Sequence, residues 1–145
     1  MKSTVEIEIN MPQQRVAELF ADPGNNPKWM PDLDRYEPVS GEQGIPGSTY
    51  RLVPKTGKMV FLATVVARNI PHELSLVLEA SNVRVFITGK LIAVSATRTK
   101  LISEEIFTFK GLFNSIFGFF AQNAIKAAHR GHIEEFKKFA EKQSI

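Results

Sequence analysis

The stretch that most constrains this chain lies near its end. Residues 110–143 read KGLFNSIFGFFAQNAIKAAHRGHIEEFKKFAEKQ, with no proline. As one helix rising 1.5 Å per residue, it would span roughly 50 Å, the longest helix of the chain and well beyond an average helix of a small domain. Its first half is apolar on almost every side, through Leu112, Phe113, Ile116, Phe117, Phe119 and Phe120. Its second half is amphipathic and basic, with one apolar stripe of Ile125, Ala128, His132, Phe136 and Phe139. A helix that is apolar all round must be covered all round, so the rest of the chain has to supply the cover.

That rest reads mainly as strands. Residues 4–10 alternate, with Val5, Ile7 and Ile9 on one face and Glu6, Glu8 and Asn10 on the other, the period of a half-buried strand. Pro12 suits the first turn of a short helix over 12–21 that buries Val16, Leu19 and Phe20. Dense turn chemistry at 22–27 leads to a helical turn at 28–30 that presents Trp29, the only tryptophan. Strands are expected over 34–40, 48–53, 59–68, 73–80, 83–94 and 100–109, at hairpin spacing. About seven strands with short connections make an antiparallel sheet, and a strongly curved one must bury its concave face. The C-terminal helix is the element long and apolar enough to fill it. The expected class is α+β, one domain over residues 1–145.

Composition excludes several functions. There is no cysteine, hence no thiol catalysis, disulfide scaffold or cysteine metal ligand. The net charge of +3 is small and the signs are mixed along the chain, which argues against nucleic-acid binding. The N-terminal MKSTVEIEINMP lacks the apolar core of a signal peptide, and no run reaches 18 apolar residues, so the expectation is a cytoplasmic protein with no membrane span. The loop 41–47 holds three glycines but no Gly-Lys-Ser/Thr and leads into a strand. It is expected as a mobile hairpin at a cavity rim rather than a phosphate cradle.

Element order and local motifs together resemble the START-like, or SRPBCC, superfamily, the helix-grip fold shared with the birch-pollen-allergen proteins. The residues that carry this are Ile9-Asn10-Met11-Pro12 leading to Val16, then Leu19-Phe20-Ala21-Asp22-Pro23 with Asn26-Pro27-Lys28-Trp29-Met30-Pro31-Asp32. Pro46-Gly47-Ser48 precedes the third strand, and Phe109-Lys110-Gly111-Leu112-Phe113 opens the final helix. Within the superfamily the chain looks like the polyketide cyclase/dehydrase-like and lipid-transport-like subgroup. The resemblance implies a curved sheet of about seven strands wrapped around the C-terminal helix, with two short helices after the first strand. It carries no catalytic set.

The leading functional reading is a cavity between sheet and helix that binds a small hydrophobic or amphipathic ligand: a lipid, a polyketide-like or an aromatic molecule. Its expected lining is Trp29, Tyr50, Leu52, Phe61, Leu76, Leu78, Phe107, Phe109, Phe117 and Phe120, with Asn123 among the polar groups that would orient the ligand. Glu105 shares a strand face with Leu101, Phe107 and Phe109, and as a buried carboxyl it could serve as a general acid or base. A second reading is therefore a cyclase/dehydratase-type enzyme. A third is a homodimer or interaction module built on the aromatic half-helix, with Phe119 foremost. No cofactor is expected. His129, His132 and Glu135 share one side of the helix, a spacing too weak to establish a metal site.

Overall fold

The computed structural model describes the backbone of residues 1–111 and 113–143, and the side chains of residues 1–111 and 121–143. The elements run β1 (Lys2–Ile9), α1 (Gln13–Ala21), a 3-10 turn (Pro23–Asn25), α2 (Asn26–Trp29), β2 (Leu33–Ser40), β3 (Thr49–Pro54), β4 (Phe61–Asn69), β5 (Glu73–Ala80), β6 (Val83–Ser95), β7 (Arg98–Phe109) and α3 (Phe113–Glu141). The seven strands form one sheet in the order β1-β7-β6-β5-β4-β3-β2. Every pairing is antiparallel, so β1 closes back on the last strand. This is the helix-grip architecture expected from the sequence. Among the described residues no helix is long and apolar enough to cross a membrane.

The alternation read from the sequence sets the inward rows. On β7, Leu101, Ser103 and Phe109 are buried, while Ile106 and Thr108 on the other face are exposed. The long helix is shorter than expected at both ends, and Gly111, at φ 75°, precedes it in a conformation that favours glycine.

The buried stripe of α3 differs from the expected one. Among the described side chains it consists of His129, Ile133, Phe136 and Ala140, while Ala128 is exposed and Ile125, His132 and Phe139 are half-buried. A wheel weighted by hydropathy passes over His129. The fold buries it because two sheet serines reach its two ring nitrogens. The loop 41–47 is corrected as well. Gly44 is buried, Gly47 donates its N–H to the Val65 carbonyl, and Arg68 donates to the Gly44 carbonyl, so this loop packs on β4 away from the cavity.

Among the described residues the interior holds three packed clusters. The first joins β1, α1, β6, β7 and α3 through residues such as Val5, Ile9, Val16, Leu101 and Phe136. The second lies over β3, β4 and β5 around Tyr50, Leu52, Ala63 and Leu74. The third, at the far end of β6 and β7, gathers Val83, Val85 and Phe109, with Ile125 of α3 against it. Phe20, Trp29 and Phe136 tie the three helices together. Phe136 meets Phe20 and Trp29 edge-on, with ring centres 5.0 and 5.3 Å away, arrangements worth about 0.5–1.5 kcal/mol each beyond their burial.

Two glycines predict opposite outcomes for the same substitution. A Cβ at Gly89 would lie 2.6 Å from Phe20 Cε2, inside this aromatic node, so Gly89→Ala is expected to destabilise by about 1–3 kcal/mol. A Cβ at Gly131 would meet nothing within 4 Å, so this glycine is not needed for close sheet approach. Gly131→Ala should stabilise by roughly 0.5–1 kcal/mol through helix propensity alone. Chemical denaturation of the two variants checks both signs.

Candidate functional site

Between the clusters lies a cavity of about 380 Å³, within the range of small-molecule sites. The sheet contributes Tyr50, Leu52 and Pro54 from β3, Phe61 from β4, Leu76 and Leu78 from β5, Val85 and Ile87 from β6, and Ser103, Glu105 and Phe107 from β7. The helices add Phe20, Trp29, His132 and Ile133, and the segment after α2 adds Met30, Asp32 and Leu33. The β3–β4 hairpin supplies the rim through Thr56, Lys58 and Met59, so this hairpin occupies the place expected of the glycine loop. A second cavity of about 350 Å³, lined by Asn82, Val83, Phe109 and Ile125, shares Met59, Phe61 and Phe107 with the first.

Of the expected lining, Trp29, Tyr50, Leu52, Phe61, Leu76, Leu78 and Phe107 come together in the larger cavity, and Phe109 lies in the second. Asn123 is solvent-exposed and borders neither. Phe117 and Phe120 lie outside the residues whose side chains are described, as do Phe113, Ile116 and Phe119, on which the dimer reading rests. The larger cavity also contains residues that sequence reasoning passed over. Val85 and Ile87 sit on the same alternating row of β6, so strand periodicity could have found them. Met30, Leu33 and the hairpin tip are placed by tertiary folding and left no local signal.

The polar side of the cavity centres on β7. The Glu105 side chain is 17% exposed, and its Oε2 lies 3.7 Å from His129 Nε2. His129 is buried, with Nδ1 2.7 Å from Ser3 Oγ and Nε2 2.9 Å from Ser103 Oγ. Burial, helped by the neighbouring His132 and Arg130, lowers His129 to about 4. The ring is therefore neutral at pH 7, with one serine donating to its bare nitrogen and the other accepting its N–H. It gives Glu105 no positive partner, and burial raises Glu105 to about 7. Tyr50, opposite, is raised by burial to about 12 and stays protonated. The buried Trp29 indole N–H has no hydrogen-bond partner among the described residues.

His132 Nε2 lies 3.6 Å from Asp32 Oδ1 at the cavity mouth. Among the described residues no three His, Asp or Glu side chains gather as a metal site requires.

The family model described as polyketide cyclase / dehydrase and lipid transport matches residues 1–141. A search of curated proteins finds no match. Among solved structures, norcoclaurine synthase from Thalictrum flavum, in complex with dopamine and hydroxybenzaldehyde, is 12% identical, with 100% of this chain and 89% of that one covered at a TM-score of 0.75. A START superfamily protein from Mycobacterium smegmatis is 14% identical, with 97% and 94% covered and a TM-score of 0.72. Protein MLL2253 from Mesorhizobium loti is 15% identical, with 100% of both chains covered and a TM-score of 0.77. At these identities the likeness is one of fold.

The Glu105 environment predicts a pH-dependent stability. The folded chain holds this proton up to about pH 7, whereas an ordinary carboxyl releases it near 4.5. Between those values the folded state binds more protons than the unfolded state, so the Glu105 contribution falls as pH rises and the full penalty is present above about 7. Glu105→Gln is expected to be near-neutral at the acid end and stabilising by on the order of 2 kcal/mol above neutrality. Urea unfolding of both proteins across that range is the measurement.

Proposed function

The chain belongs to the polyketide cyclase/dehydrase and lipid-transport family of START-like proteins, and we propose that it binds a small hydrophobic or amphipathic ligand in the cavity between sheet and helix. The observation that carries this reading is the cavity itself, of about 380 Å³. Its walls are largely apolar over β3, β4 and β5, with polar groups on the β7 side, at Tyr50 and Asn26, and at the mouth. Leu76, Leu78, Phe61 and Phe107 are only half-buried although they point into the molecule. Covering such side chains contributes roughly 25 cal/mol for each Å² removed from water. An apolar ligand body would supply that cover, while Glu105, Ser103 and Tyr50 would orient its polar part.

An acid–base enzyme of the cyclase/dehydratase type is the second reading. It is favoured by a carboxyl raised to about 7 in the cavity wall, where both protonation states are populated near neutrality. The norcoclaurine synthase likeness is compatible with either reading.

Two measurements test binding. Native mass spectrometry of protein purified from its own host should reveal a co-purified small molecule. Added back, that molecule should raise stability with concentration, by about 2.7 kcal/mol at a hundredfold excess over the dissociation constant. Leu78→Trp, which fills the cavity, should abolish the shift while the variant remains folded. No shift in the wild-type protein would count against the reading.

A further inference from the structure

Among the described residues, the cavity wall carries one deep carboxyl and no Lys or Arg paired with it. We propose that Glu105 makes this cavity select amphipathic molecules with a cationic, amine-type head over those with a carboxylate head. The proposal rests on the ligand-binding reading above and adds a head-group class to it.

The argument is a survey of what faces Glu105. Its register partners are Ser3 on β1 and Ile87 on β6, and Ser103 and Phe107 flank it on the inward row of β7. From α3 it faces His129, whose ring nitrogens are engaged by Ser3 and Ser103. Burial keeps that ring uncharged at neutral pH. Among the described residues Glu105 forms no other ion pair or side-chain hydrogen bond, and residues 112–120 contain no charged side chain. Apart from Tyr50, the remaining titratable groups of the cavity are at its mouth: Lys58 on the β3–β4 hairpin, exposed, and the Asp32–His132 pair, whose side chains are 74% and 32% exposed. Water and salt screen these rim charges, whereas a carboxyl that is 17% exposed acts at much lower effective dielectric.

A buried carboxylate without a partner is unfavourable, and its uncompensated charge strongly favours an incoming cation. An ammonium head supplies the absent partner. A carboxylate head sets two like charges together and binds only if one of them takes up a proton. Burial raises Glu105 to about 7, so near neutrality an arriving amine drives a proton off. Leu76, Leu78 and Phe107 lie beside this carboxyl to receive an apolar tail.

The test titrates three probes with the same tail, octylamine, octanol and octanoate, into the wild-type protein and into Glu105→Gln. Binding is followed by calorimetry and by the emission of Trp29, the only tryptophan and part of the cavity wall. In the wild type, octylamine should bind about tenfold more tightly than octanoate above neutrality. Its affinity should rise up to about tenfold from pH 6 to pH 8, because it binds the ionised form of a group that titrates near 7. Calorimetry in buffers of different ionisation heats should show protons released with octylamine. In Glu105→Gln the head-group preference and the pH dependence should both collapse, while octanol binding persists. The pH dependence and proton release are read on the wild type alone, so they decide the matter even where the variant does not fold. Equal affinity for the three heads, or a preference for octanoate through Lys58, overturns the selection and leaves the cavity reading standing. Failure of all three probes to bind overturns both.

Discussion

The structure follows from a mismatch of widths. Seven strands spaced about 4.8 Å apart make a concave surface roughly 29 Å across, whereas a helix with its side chains covers about 10 Å. One helix cannot fill that surface. The second half of α3 lies over β1 and β7, where Phe136 joins Val5, Ile9 and Leu101. The two short helices bring Phe20 and Trp29 against the same residue, which holds them near that side. The β3, β4 and β5 side therefore keeps its own cluster around Tyr50 and Leu52, and the space between remains open. The cavity is a geometric consequence of gripping a wide sheet with a helix anchored along one side.

The polar chemistry of that space follows from the same anchoring. His129 is the point where the helix touches both β1 and β7 through hydroxyl groups, an interaction that fixes how the helix is rotated. Held neutral there, it gives Glu105 a polar neighbour but no charge. An apolar wall with a single deep carboxyl is an uncommon environment, since buried carboxylates are ordinarily paired. It ties ligand choice, proton binding and stability to one side chain.

Much of the site was legible along the strands because their period is two. Once Leu101, Phe107 and Phe109 were placed inward, Glu105 had to follow, and the row Leu76, Leu78 on β5 was found in the same way. The helix was less legible. Hydropathy alone places Ala128 on the anchored stripe and passes over His129, because the burial of a histidine depends on partners distant in sequence, here Ser3, 126 residues away, and Ser103, 26 away. Three glycines in the 41–47 loop suggest openness, and hence a rim. In the fold Gly44 and Gly47 bond to β4, and the rim is the turn at 55–60, where Met59 stands at φ 57°.

The sequence by itself determined the element order, the inward rows of the strands and the need for a sheet to cover a long apolar helix. These depend on periodicity and turn chemistry, which act over a few residues. Tertiary structure decided the rotation of α3, the loop that reaches the cavity mouth and the burial of Glu105 without a paired Lys or Arg among the described residues. Those depend on which distant side chains meet, and a burial energy or a pKa is set by that meeting rather than by local pattern.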